Sequence, residues 1–312
     1  MKFRKIASIL TLLSVVVVVS VTATPAQAAI APGVNVMEWN VCHLDPECGN
    51  AGVYSKNLAT ASARIVEEKP AIFLAIEFCQ KLMGDYQKIG NKWFAGSVFY
   101  PKRDSGNSKC GKVGTAIFTH RPLTDLGFVK IPVRVQSGAL DTVGCALTQV
   151  GSNKISVVAC VTHLDNSSDV TVQKAQLQGT KAKGAAPGSL TNGTTKWQGA
   201  AGWALDKANG KPMVFGGDLN LKHDSAALSH MYSNVIEDGN VSTGQRFAEV
   251  DQVGNGVTHG ADTKGKKIDY IFFKKGYSSR YKVGQHAPEK FAASDHRMLY
   301  GEVRLCSDPS EC

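Results

Sequence analysis

Short apolar runs divided by polar loops dominate the chain, and their periods separate strands from helices. Val34 to Val41 reads as a first strand, and Ala71 to Ile76 is a continuous apolar run of the kind a strand buried on both faces shows. Further strands are predicted over Val113 to Thr119, Leu126 to Val133, Thr142 to Val150, Lys154 to Thr162, Pro212 to Gly216, Ile268 to Phe273 and Met298 to Leu305. Ser55 to Lys69 places Leu58, Ala59, Ala63, Ile65 and Val66 on one face at helical spacing. Two more helices are predicted at about Val170 to Lys183 and Lys196 to Lys207, with Gly184 to Thr195 as the loop between them. Strands dominate both ends of this pattern, which points to one α+β domain over residues 29–312, with packed sheets covered by helices.

The first residues follow a different rule. Lys2, Arg4 and Lys5 precede an apolar run from Ile6 to about Val21, and Ala26-Gln27-Ala28 closes the segment. A basic start, a short apolar centre and a small-x-small end predict a signal peptide of residues 1–28, cleaved near Ala28, and an exported protein. Removing these 28 residues from 312 leaves 284, enough for a sizeable core without staples. The same cut lowers the formal charge from +9 to +6, a modest excess that suits a phosphate-bearing partner and also mere solubility.

Eight cysteines in an exported chain predict disulfides. Counting outward from the turn at Gly151-Ser152-Asn153 puts Cys145 opposite Cys160 on adjacent antiparallel strands, close enough for a bridge. Cys42 with Cys48 and Cys306 with Cys312 would each close a small loop, leaving Cys79 with Cys110 by elimination. Zinc is a poor alternative, because no CxxC pair or Cys/His cluster has ligand spacing.

The chemistry is suggested by how the strands end. Met37-Glu38-Trp39 runs into Asn40, Ile72 to Ile76 into Glu77, and Val157 to Thr162 into His163. Met213 to Gly217 runs into Asp218-Leu219-Asn220, Asp269 sits inside Ile268-Asp269-Tyr270-Ile271, and Ser294-Asp295-His296 precedes the last strand. One such group would read as a satisfied core residue. Several together supply carboxylates, amides and imidazoles, the donors that metal-assisted phosphoryl chemistry requires. His120, His223, His230 and His286 lack partner spacing, and His43 lies in the Cys42/Cys48 loop. His259 stands near Lys264, Lys266 and Lys267, a basic group that fits either a phosphate grip or a solvated loop.

These six motifs, in this order, resemble the endonuclease/exonuclease/phosphatase superfamily of pancreatic-type deoxyribonucleases, abasic-site endonucleases, neutral sphingomyelinases and inositol-polyphosphate phosphatases. The resemblance runs from about Val34 to Leu305 and is most specific at Gly216-Gly217-Asp218-Leu219-Asn220 and Ser294-Asp295-His296. It implies a four-layer αββα sandwich with two packed, mainly antiparallel sheets. It further implies that Glu77, Asn40 and Asp295 serve a divalent metal, Mg²⁺ first with Mn²⁺ or Ca²⁺ as alternatives. By the same resemblance Asp218 orients or deprotonates water, Asn220 donates to phosphate, Asp269 charges His296 at the phosphoryl group, and His163 is a second catalytic histidine.

The substrate is less determined. The pancreatic-type nuclease carries a Glu where this chain, aligned on Arg121-Pro122, has Gly114, so that enzyme's second acid/histidine pair is in doubt. Export, positive charge and Lys264, Lys266 and Lys267 favour nucleic acid and a monomeric nuclease. A phospholipid headgroup is the alternative, although membrane insertion has only Trp93-Phe94 and Val98-Phe99-Tyr100 as a candidate, which a sheet strand explains. A catalytically silent binding protein or toxin subunit would have lost one of the Glu, Asp or His positions, and all are present.

Overall fold

A computed structural model of the chain describes residues 30–42, 51–106, 108–133, 141–166, 169–179, 197, 199–228, 231, 247–249, 257–259, 265–286 and 294–312. The proposed leader, Cys48, His43, His230, Lys264 and the Gly184 to Thr195 loop lie outside them. Twelve strands are described: β1 (Ile30–Asn40), β2 (Ile72–Cys79), β3 (Gly96–Asp104), β4 (Lys112–Thr119), β5 (Leu123–Lys130), β6 (Thr142–Val150), β7 (Ile155–His163), β8 (Met213–Asp218), β9 (Phe247–Glu249), β10 (Asp269–Lys274), β11 (Ser278–His286) and β12 (Met298–Cys306). The helices are α1 (Ala51–Glu68), short α2 (Met83–Gln87) and α3 (Ile89–Lys92), α4 (Val170–Gln178) and α5 (Gly199–Ala208).

Two six-stranded sheets form, in the orders β11-β12-β1-β2-β4-β3 and β5-β6-β7-β8-β10-β9. Strand alternation explains the layering. On β1, Val36 faces the opposite sheet, packing with Leu74, Val157, Val214 and Ile271, while Met37 and Trp39 face outward against Ala61 and Ile65 of α1. On the second sheet Val158, Phe215 and Phe272 face outward against Leu177 of α4 and Ala200 and Ala204 of α5. The result is the expected α+β sandwich of four layers. It explains why Ile72 to Ile76 reads as unbroken apolar sequence: both faces are covered.

Each sheet contains one parallel pair, β1 with β2 and β7 with β8. Parallel neighbours need a crossover, and α1 supplies the first while α4 and α5 lie within the second. The C-terminal ends of these four strands lie at the same edge of the sandwich, the position that crossovers leave open for a ligand. Asn40, Glu77, His163 and Asp218 stand at or next to those ends.

Disulfides join Cys79 to Cys110, Cys145 to Cys160 and Cys306 to Cys312, as expected, and Cys145 and Cys160 are register partners. The predicted strand over Leu126 to Val133 forms earlier, at β5, because Gly127 (φ +85°) makes an irregularity and the chain leaves the sheet before Ile131. The helix predicted to Lys183 stops at Gln178, where Gly179 takes φ +96°. Trp93 and Phe94 precede β3, in which Tyr100 is fully buried, so this apolar stretch belongs to the sheet. Among the described residues no helix is long and apolar enough to cross a membrane.

Candidate active site

The Gly216-Gly217-Asp218-Leu219-Asn220 motif shows how local sequence builds the site. A Cβ on Gly217 would stand 1.9 Å from the Thr162 carbonyl, and one on Gly216 would stand 2.7 Å from Leu74 and 2.8 Å from the Tyr270 carbonyl. Only glycine lets β8 approach β7 and the opposite sheet this closely. Their closeness sets His163 in register with Asp218, and Asp218 in turn with Asp269 on β10. Asn220 takes a left-handed conformation (φ +51°), and its backbone N–H donates to Asp218 Oδ1 at 2.9 Å. Glu77 also has positive φ (+53°), at the break in the β2–β4 register between Ala75 and Phe78, where the backbone turns its side chain out of the ladder.

His296 holds the centre. Its Nδ1 lies 2.8 and 3.0 Å from the two oxygens of Asp269, and its Nε2 lies 3.6 Å from Asp218 Oδ2. The loop that carries it is pinned on three sides. Ser294 Oγ donates to the Asn40 carbonyl (2.6 Å), Trp39 Nε1 donates to the His296 carbonyl (3.1 Å), and the Arg297 N–H donates to the Thr258 carbonyl (2.7 Å). Asn40 Nδ2 faces Asp218 Oδ2 (3.0 Å), Glu77 Oε1 (3.3 Å) and His296 Nε2 (3.4 Å), so one amide gathers residues from both sheets. Its Oδ1 accepts from the Cys42 N–H. His163 Nε2 stands 3.7 Å from Asp218 and 3.8 Å from Glu77, with Asn220 Nδ2 at 3.3 Å.

Burial and like charge separate the ionisable groups. Asp218 is pushed up to about 7, first by burial and then by Asp269, against the opposing pull of His296, Asn220 and Asn40. Burial works against a charged His296, but Asp269, Asp218 and Asp295 outweigh it and raise the imidazole to about 10. His163 is held well below the ordinary histidine range by burial, then by Lys102 and His296. The two histidines therefore differ in charge near neutrality, one cationic and one neutral. Glu38, two residues before Asn40, is fully buried behind Asp218 and Asp269, and its carboxyl is raised by burial and by both of them.

Several expectations need correction. Lys267 is not in the cleft: it is 3% exposed, ion-paired with buried Glu249, and its Nζ lies 5.5 Å from the Tyr270 ring. Alternation is the reason, because exposed Lys266 points to the cleft and its neighbour must point inward. Asn220 does not present a free donor, since Nδ2 also donates to the Leu164 carbonyl at 3.0 Å, so it positions His163 and Asp218. Gly114 cannot carry an acid at all, because a Cβ there would lie 2.0 Å from the Tyr100 carbonyl. Near His163 the chain supplies Lys102 instead, ion-paired with Asp141. Asp295 sits at the rim, 3.0 Å from His259 Nε2 and 3.9 Å from His296 Nε2. His259, expected in a basic group for a phosphate grip or a solvated loop, instead faces Asp295 and His296, and Glu38, marked in the sequence only as an acid inside an apolar strand, had no expected role.

The site opens into a cleft of about 830 Å³ lined by Glu77, His163, Asp218, His259, Lys266 and His296, among others. The donor set fits a hard divalent cation. Glu77 and Asp218 direct carboxylate oxygens to a shared point at Asn40, and Asp269 stands beside Asp218 on the adjacent strand. His296 meets Asp218 and Asp269 directly, and Glu77 lines the cleft beside them.

Residues 37–296 match the profile of the Endonuclease/Exonuclease/phosphatase family. The human Nocturnin catalytic domain with bound sulfate anion is similar in fold, at TM-score 0.58 and 15% identity, covering 89% of this chain and 97% of that one. An endonuclease/exonuclease/phosphatase from Beutenbergia cavernae gives TM-score 0.61 and 16% identity over 88% and 72% of the two chains. TDP2 from Caenorhabditis elegans gives 0.55 and 17% over 87% and 75%. At these identities the solved structures speak for the fold alone. Comparison with curated proteins gives no match.

Proposed function

The chain belongs to the endonuclease/exonuclease/phosphatase family, whose members hydrolyse phosphoester bonds, and on that premise we propose an exported, divalent-metal-dependent phosphodiesterase that cleaves nucleic acid. The observation that carries the reading is the Asp218–His296–Asp269 array, in which an acid near neutrality faces a cationic imidazole at 3.6 Å.

A phosphodiester is anionic, so attack by water needs its charge met and a proton removed. Asp218, held to about 7, accepts the proton of the attacking water as the new P–O bond forms. His296, kept cationic by Asp269, meets the charge on the phosphoryl oxygens as the bond to the leaving oxygen breaks. A divalent ion held by Glu77 would neutralise phosphoryl charge and stabilise the leaving oxygen. Asn40 holds Glu77, Asp218 and His296 together. Neutral His163 lacks the supporting acid of the pancreatic-type nuclease, and Asn220 holds it in place instead.

Nucleic acid is favoured over a lipid by the cleft rim, where exposed Lys266 and Lys222 meet the groove and no apolar hairpin projects beside it among the described residues. Sulfate in the Nocturnin domain is a tetrahedral oxyanion like the proposed phosphate. Cleavage after removal of residues 1–28 and action as a monomer belong to the same proposal. The test is plasmid DNA with Mg²⁺, with and without chelator, beside sphingomyelin vesicles assayed for phosphocholine. Metal-dependent nicking supports the reading; phosphocholine release without nicking overturns its substrate, and full activity in Glu77→Ala or His296→Ala overturns the site.

A further inference from the structure

At the mouth of the cleft, His259 and Asp295, which the hydrolysis described above does not use, converge on His296, which it does. His259 is fixed by its backbone: its N–H donates to the Lys266 carbonyl, its own carbonyl accepts from Lys266, both at 2.9 Å, and it is bridged to His296. Its Nε2 lies 3.0 Å from Asp295 Oδ2, and Asp295 Oδ1 lies 3.9 Å from His296 Nε2. The two rings meet edge to face with centroids 4.7 Å apart. One donor atom from each of the three residues lies within 4.8 Å of the others.

We propose that His259, Asp295 and His296 form a binding site for a borderline divalent ion of the Zn²⁺ type, and that an ion seated there removes His296 from the hydrolytic reaction. Donors about 2.0–2.1 Å from a tetrahedral zinc lie about 3.3 Å from one another, and each imidazole already stands near one Asp295 oxygen, His259 Nε2 at 3.0 Å from Oδ2 and His296 Nε2 at 3.9 Å from Oδ1. A turn of the Asp295 carboxylate and a closer approach of the two imidazole nitrogens would complete the set, whose donor atoms already lie within 4.8 Å of one another. His296 has behind it what a metal-binding histidine needs, a carboxylate on the opposite ring nitrogen, here Asp269 at 2.8 Å, and the ion takes the place of the Nε2 proton, which is released to solvent. The His259 and Asp295 side chains are 34% and 48% exposed, which gives an ion access and leaves an outer position for water.

Ligand chemistry separates this site from the one at Glu77. Two imidazoles among three donors suit zinc, whereas Mg²⁺ prefers oxygen and keeps its water. The two sites therefore differ in the ion they select, while sharing the cleft and His296. Zinc binding stands on its own; its inhibitory effect rests on the phosphodiesterase reading.

The experiment titrates Zn²⁺ into the full chain in Mg²⁺ buffer by calorimetry, with Co²⁺ absorption reporting tetrahedral nitrogen and oxygen ligands. His259→Ala and His259→Asn are compared with wild type, with circular dichroism as the check on folding. Losing a direct ligand costs no less than losing the groups behind it, so both variants should bind zinc at least about tenfold more weakly. The zinc concentration that halves Mg²⁺-supported cleavage, taken relative to each variant's own rate in zinc-free buffer, should rise by the same factor. Unaltered zinc affinity in both variants, or no zinc binding by wild type, overturns the site. If no substrate is cleaved, the hydrolytic reading fails while calorimetry still decides the zinc site.

Discussion

Replacing Glu38 by Gln removes one ionisable proton from between the two sheets and leaves the side-chain shape nearly unchanged. Glu38 pairs with Leu74 on β2 and Leu299 on β12, is 0% exposed, and neither carboxyl oxygen has a hydrogen-bond partner among the described residues. Burial, then Asp269, then Asp218 hold its carboxyl well above the usual carboxylate range. The folded chain therefore keeps a proton that the unfolded chain releases above about pH 4.3. Where the unfolded state binds fewer protons, stability falls as pH rises, and one proton sets the slope at about 1.4 kcal/mol per pH unit. The window opens near the unfolded value and extends upward until the folded group itself ionises. Glu38→Gln lacks this term, so its stability relative to wild type should improve by about 1.4 kcal/mol per unit from pH 5 upward. Urea unfolding of both chains at pH 5, 6 and 7 in chelator measures it. A difference that stays flat across that range would refute the buried neutral acid.

Three further predictions concern the site and its supports. Asp269→Asn removes the charge that raises His296 to about 10, so the alkaline limb of the cleavage pH profile should move toward neutrality and kcat should fall about 10²–10⁴-fold; a profile identical to wild type would contradict the dyad. Lys267→Met removes the cation paired with buried Glu249 and should cost about 3–5 kcal/mol in denaturant unfolding, whereas Lys266→Ala should spare stability and raise the KM for DNA. Equal effects on DNA affinity would contradict the opposite placements of these neighbours. Gly217→Ala forces a Cβ against the Thr162 carbonyl and should cost at least about 1–3 kcal/mol as overpacking, with cleavage lost as His163 and Asp218 shift apart. Gly84→Ala, where nothing lies within 4 Å, is the matched control and should retain full activity.

The strands and the reactive set were legible because both are written locally. A run buried on both faces must be apolar, and its end is marked where a polar group replaces the next core residue, as at Ile76-Glu77 and Thr162-His163. The turn at Gly151 also fixed a register by counting, which is why Cys145–Cys160 could be read from sequence. The strands β9 and β11 escaped, since a three-residue strand and a polar edge strand carry little apolar signal.

What the tertiary structure alone decided is which charges meet. Lys266 and Lys267 are adjacent and chemically alike, yet one lines the cleft and the other is buried against Glu249, a partner 18 positions earlier. Gly114 marks a departure in the sequence, but only the Tyr100 carbonyl 2.0 Å from its would-be Cβ explains why no acid can stand there. His259 acquires significance from Asp295 and His296, which the chain brings to it across 36 and 37 positions. Local pattern encodes where a strand ends and which face it buries, because each residue answers to its own neighbours. Charge state and metal affinity depend on distances between strands from different sheets, and those distances exist only once the sandwich has closed.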